Sequence, residues 1–149
     1  MIGRTPIDAD GARRKRHGFT LVELLVALAI LAIVSAIAIP AYNSYSIETY
    51  RGEAKSDLLL CAQGLERFAS ENFTYVGGAD GSGVLAAPVC QPLSGTRYDI
   101  TATVAADTFT LTATPRTGIM SGDGALEYGS NGVRRWNKFD GGWQTGWEE

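Results

Sequence analysis

The chain has 149 residues, 45% hydrophobic and 19% charged, which allows one modest domain plus appendages. Residues 1–18 hold five basic and two acidic side chains, whereas the remainder holds eight and 14. A basic tip on an acidic body argues against a general nucleic-acid binder and points toward a membrane.

The first element follows the basic cluster Arg13-Arg14-Lys15-Arg16 directly. Phe19 to Ile39 is a run of 21 residues whose only charge is Glu23, about the length needed to cross a bilayer as a helix. Basic residues before it and none just after predict a cytoplasmic N-terminus and a C-terminal body on the other side, in the periplasm. Three readings compete. A secretory signal would be cut behind Ala36-Ile37-Ala38, but the run is long for one and contains an acid. A permanent anchor fits the length and leaves Glu23 unexplained, since an acid within a span is costly unless paired.

The third reading rests on GFTLVE, Gly18 to Glu23, which resembles the processing site of type IV prepilins with a class III leader. The resemblance implies cleavage after Gly18 by a prepilin peptidase, which also N-methylates the new terminus, Phe19. It implies that Glu23 meets the Phe19 amine of a neighbouring subunit, so that one axial offset neutralises a charge otherwise misplaced in lipid. Glu23 also sits in the first turns of the helix, where the dipole tolerates an acid. Pro40-Ala41-Tyr42 behind the run completes the match.

Beyond the run, Ala54, Leu58, Cys61, Leu65 and Phe68 recur at spacings of three and four, one face of a helix reaching about residue 70. Arg51, Lys55, Glu66 and Arg67 read as its solvent face. Pro40 is expected to kink or locally melt this helix, and Gly52 and Gly64 to weaken it by about 1 kcal/mol each. Cys61 and Cys90 lie in the exported part, where a disulfide is expected rather than two buried thiols. Closing a loop of that length contributes about 3–4 kcal/mol in the chain-entropy model.

Tyr75 to Arg97 reads as a surface connection. Its GGADGSG lacks the phosphate-loop pattern and a strand-then-helix setting. YDITATV (98–104) and TFTLTAT (108–114) alternate with period two and form one hairpin. ALEYGS (125–130) and VRRWNK (133–138) flank Asn131-Gly132 and form another. Asp80, Asp123 and Glu127 lack calcium-loop spacing, so no metal or other cofactor is expected. In the tail, Trp136, Trp143 and Trp147 lie near Arg134, Arg135 and Lys138. These could bind single-stranded DNA or a glycan, although covering a sheet edge and closing the core is the preferred role.

The predicted class is therefore α+β, a long kinked N-terminal helix on a small antiparallel sheet of three or four strands. The predicted organisation is a leader at 1–18, a membrane and filament-core helix at 19–39, and a head at 40–149. Within the pilin family the chain is similar to PilE-type minor pilins in CAQGLERF (61–68), TFTLTATP (108–115) and ALEYGSNGVRRW (125–136). It departs from many pilins in having no cysteine after Cys90, so a disulfide-closed C-terminal loop with an adhesive role does not carry over. An enzyme is not expected, because the one histidine, His17, lies in the leader.

The resemblance implies a fimbrial subunit, stored in the inner membrane and assembled into an extracellular pilus serving adhesion or twitching motility. The implied partners are other pilins, the prepilin peptidase and N-methyltransferase, and the assembly machinery of the inner membrane. A type II secretion pseudopilin and a membrane-tethered DNA-capture module are the alternatives.

Overall fold

The computed structural model describes residues 18–92, 97–138 and 141–148. The leader expected at 1–18 lies outside the described residues except for Gly18. The chain forms two units divided between Ile39 and Pro40. Among the described residues one helix, α1 (Leu21–Asn72), is followed by five strands, β1 (Tyr98–Val104), β2 (Phe109–Pro115), β3 (Leu126–Gly129), β4 (Arg134–Asn137) and β5 (Trp143–Thr145). All pairings are antiparallel, in the order β1-β2-β3-β4-β5. The sheet thus has one strand more than expected. Strand β5 is three exposed residues long and follows Gly141-Gly142. That is too short for its alternation to register as a strand.

From residue 19 to 39 the apolar side chains are exposed, Leu21 by 76% and Ile33 by 65%. Helical structure continues through Pro40, so of the kink or local melting expected there, melting does not occur.

In the head, the predicted apolar face of α1 is the buried one. Ala54, Leu58, Cys61 and Leu65 are fully buried and join Tyr98, Ala102, Phe109, Leu111, Ala113, Leu126 and Trp136 in one core. The strand residues of this set alternate along β1 and β2, which is why a period of two reads correctly there. The disulfide Cys61–Cys90 is formed and pins the long connection to the helix. Asp80 organises the middle of that connection, its Oδ1 accepting from Ser82 N, Ser82 Oγ and Val84 N. The Gly83 carbonyl then accepts from Ala102 N, closing part of the edge of β1.

The Asn131-Gly132 hairpin forms with a longer turn than the dipeptide suggested. Gly132 N donates to Gly129 O, Gly129 N donates to Val133 O, and only Gly132, at φ 78°, is left-handed. This is a type I turn ending in a glycine bulge. Asn131 serves through its side chain, whose Oδ1 accepts from Val133 N at 3.1 Å.

The two helix glycines differ in kind. A Cβ on Gly52 would meet nothing within 4 Å, whereas one on Gly64 would lie 1.9 Å from the Val89 carbonyl oxygen. Gly64 therefore permits the disulfide-bearing connection to lie against the helix. Gly52→Ala is expected to stabilise the head by about 1 kcal/mol. Gly64→Ala should destabilise it by more than that through overpacking. Urea unfolding of the two variants checks the opposite signs.

Candidate functional site

The first candidate region is the start of α1. Thr20 precedes the first helical residue and Glu23 is the third residue within. Thr20 N and Thr20 Oγ1 both donate to Glu23 Oε2, at 3.1 and 3.0 Å, while Glu23 N donates to Thr20 Oγ1 at 3.2 Å. This reciprocal arrangement is a capping box, which satisfies amide donors that a helix start leaves unpaired. Within one chain, the acid in the apolar run is thus not isolated. Its partner is Thr20, and Thr-x-x-Glu ahead of an apolar run is the sequence signature of such a box. Phe19 is 88% exposed. A Cβ on Gly18 would meet nothing within 4 Å, and its φ is not left-handed. Among the described residues nothing requires glycine there.

The second region joins α1 to the sheet. Arg51, expected on the solvent face, is buried instead, with its side chain 6% exposed against 1% for Asp123. Its NH2 donates to Asp123 Oδ1 at 2.8 Å and its Nε to Asp123 Oδ2 at 3.3 Å. The Tyr98 hydroxyl donates to the same carboxylate. Burial, then the hydrogen bond to Asp123, push the Tyr98 phenol well above its ordinary value. The Arg51 guanidinium lies 4.2 Å from the centroid of the Trp136 ring, a cation–π contact inside the core. Sequence spacing could not reveal this cluster, because Asp123 lies 72 residues from Arg51.

The third region is the basic, tryptophan-rich edge formed by β4 and β5. Trp136 and Trp147 are buried and close the core, as the packing reading expected, whereas Trp143 is 42% exposed. Trp147 Nε1 donates to the carbonyls of Glu127 and Arg135, and Lys55 Nζ donates to the Trp147 carbonyl. Arg134 lies over Trp147 at 5.2 Å, Arg135 over Trp143 at 5.6 Å and Lys138 over Trp136 at 5.1 Å. Arg135 also forms an ion pair with Glu127 at 2.7 Å, and Arg116 pairs with Asp99. The three acids weighed as metal ligands are thus engaged apart from one another: Asp80 in its own turn, Asp123 with Arg51, Glu127 with Arg135.

Two family profiles match. Residues 40–124 match the family described as type IV minor pilin ComP, DNA uptake sequence receptor. Residues 13–39 match the prokaryotic N-terminal methylation motif. Among curated relatives, the type II secretion system core protein G of Pseudomonas aeruginosa is 35% identical over 63 residues, 42% of this chain and 44% of that protein. The type IV major pilin protein PilA of Myxococcus xanthus is 33% identical over 92 residues, 62% and 39% of the two chains. The type IV major fimbrial protein FimA of Dichelobacter nodosus is 44% identical over 57 residues, 38% and 33%. The chain spans less than half the length of each of these relatives. No solved structure gives a significant match.

Proposed function

Since the chain belongs to the ComP family of type IV minor pilins, we propose that it is a minor structural subunit of a type IV pilus. It is made as a precursor, held in the inner membrane by residues 19–39 with its head on the periplasmic side, and cut after Gly18. It then joins other pilins through the apolar half of α1. The observation that carries this reading is the Thr20–Glu23 cap at the head of an outward-facing apolar helix. The carboxylate is held locally in the single chain and can be handed to the amine of a processed neighbour in a polymer.

Cleavage supplies the first test. Because an added Cβ at Gly18 touches nothing among the described residues, intolerance of a side chain there would belong to the peptidase. Gly18→Val is expected to leave folding unchanged and to abolish processing, so that only the uncut form is found in membranes. Cleavage at the normal rate would count against the assignment of Gly18.

A second reading is DNA capture, favoured by the family description. Residues 40–149 carry eight basic and 13 acidic side chains, so a broad electrostatic footprint on phosphates is unavailable. Contact would be confined to the edge of Arg134, Arg135, Trp143 and Lys138. On the structural reading, Arg134→Ala with Arg135→Ala leaves DNA affinity and its salt dependence unchanged. A fall in affinity with a salt slope reduced by about one per lost phosphate contact would establish the capture reading. A secretion pseudopilin, favoured by the relative from Pseudomonas aeruginosa, would be absent from sheared pili, where a minor pilin is present in small amounts.

A further inference from the structure

The apolar run ends at Ile39, and the next charged residue is Glu48. Between them lies PAYNSYSI, a neutral segment with two tyrosines. Tyr42 and Tyr45 are 71% and 70% exposed and share one helix face by their spacing of three. The neighbouring hydroxyls are turned back onto the helix. Ser44 Oγ donates to Pro40 O, Ser46 Oγ to Tyr42 O and Thr49 Oγ1 to Tyr45 O. Apart from the exposed Asn43 carboxamide, the segment therefore presents two amphipathic rings and hydroxyls already satisfied by the helix.

At 1.5 Å per residue, Tyr42 lies about 3 Å and Tyr45 about 7.5 Å beyond Pro40 along the helix. The headgroup layer on each side of a bilayer is roughly 5–7.5 Å deep, so Tyr42 falls within it and Tyr45 at its outer limit. Tyrosine is enriched at that depth, where its ring meets the acyl boundary and its hydroxyl meets water. A groove next to Tyr45, lined also by Ile47, Ser121 and Gly122, leads into the head and turns charged at Glu48, Arg51 and Asp123, which marks the watery limit of the neutral surface. We propose that Tyr42 and Tyr45 seat the stored subunit in the lipid headgroups, a membrane-contact surface that fixes how deep the helix sits. Joining a filament then requires both rings to leave the headgroup layer. The proposal rests on the reading that residues 19–39 span the bilayer.

The test uses the full chain in vesicles of phosphatidylethanolamine and phosphatidylglycerol. Spin labels are placed at Ser44→Cys, Leu31→Cys or Glu53→Cys; the buried Cys61–Cys90 disulfide does not take the label. Collision with oxygen and with a water-soluble nickel chelate reports depth. Leu31 is expected to read as hydrocarbon, Glu53 as water and Ser44 as headgroup. Tyr42→Ala with Tyr45→Ala should raise nickel accessibility at Ser44 by about twofold, and tryptophan at both positions should restore it. An unchanged Ser44 reading in the alanine pair, with Leu31 still in hydrocarbon, overturns the tyrosine anchor while the span stands. Leu31 in water overturns both. Shielding of Ser44 that follows protein concentration instead of lipid would assign the tyrosines to a second copy and also overturn the proposal.

Discussion

Asp123→Ala is expected to destabilise the head by about 3–5 kcal/mol, the largest loss from any single substitution outside the apolar core. The reason is what remains behind. The Arg51 side chain is only 6% exposed, and without Asp123 it loses both hydrogen bonds to that carboxylate inside the core, while the Tyr98 hydroxyl loses its acceptor. The Trp136 ring offsets part of that cost but supplies no hydrogen-bond acceptor in the plane of the guanidinium. Replacing the set together, Arg51→Met, Asp123→Leu and Tyr98→Phe, should recover most of the loss, because a buried ion pair and an apolar group of similar volume are close in free energy. Urea unfolding checks both. A loss below about 1 kcal/mol for Asp123→Ala would mean that water reaches Arg51 and that the pair is not buried in solution.

Glu23→Gln is expected to keep the helix start and lose the polymer. Glutamine can replace glutamate at the third helical position of a capping box, so the contacts with Thr20 are preserved in kind. What disappears is the charge. If assembly depends on that charge meeting the Phe19 amine of a neighbour, incorporation into sheared pili should fall by about tenfold or more, since tenfold corresponds to only about 1.4 kcal/mol. Thr20→Val makes the converse change. It removes the cap hydroxyl, at a cost of about 1 kcal/mol, while leaving the acid, and should reduce incorporation much less. Should Glu23→Gln assemble normally and Thr20→Val fail, the acid is a capping residue only and the charge-matching account is wrong.

Legibility in the sequence followed the range of the interactions. The buried face of α1 and the β1–β2 hairpin rest on periodicities that a local window contains, and the structure places Ala54, Leu58, Cys61, Phe109 and Leu111 inside as expected. The disulfide followed from cellular compartment and cysteine number instead of geometry. Arg51 was misassigned to the surface because its partners, Tyr98, Asp123 and Trp136, come from three distant segments that no window joins. Gly64 looked like a flaw in a helix because the cost of a glycine is local, while its benefit, the approach of Val89, is tertiary. The tail divided along the same line. Trp136 and Trp147 are core residues, but which tryptophan stays outside depends on β5, whose pairing with β4 was not visible in three residues. Thr20 differs, since its capping signal, Thr-x-x-Glu, is local and legible in the sequence.

The most direct measurement is mass spectrometry of the chain recovered from sheared pili or membranes. The account predicts a single terminus at N-methylated Phe19, with the residues before it removed. A chain beginning at Met1 would contradict it, because then no freshly made amine stands beside Glu23, and one beginning at Ile39 would contradict it by lacking both Glu23 and the apolar helix.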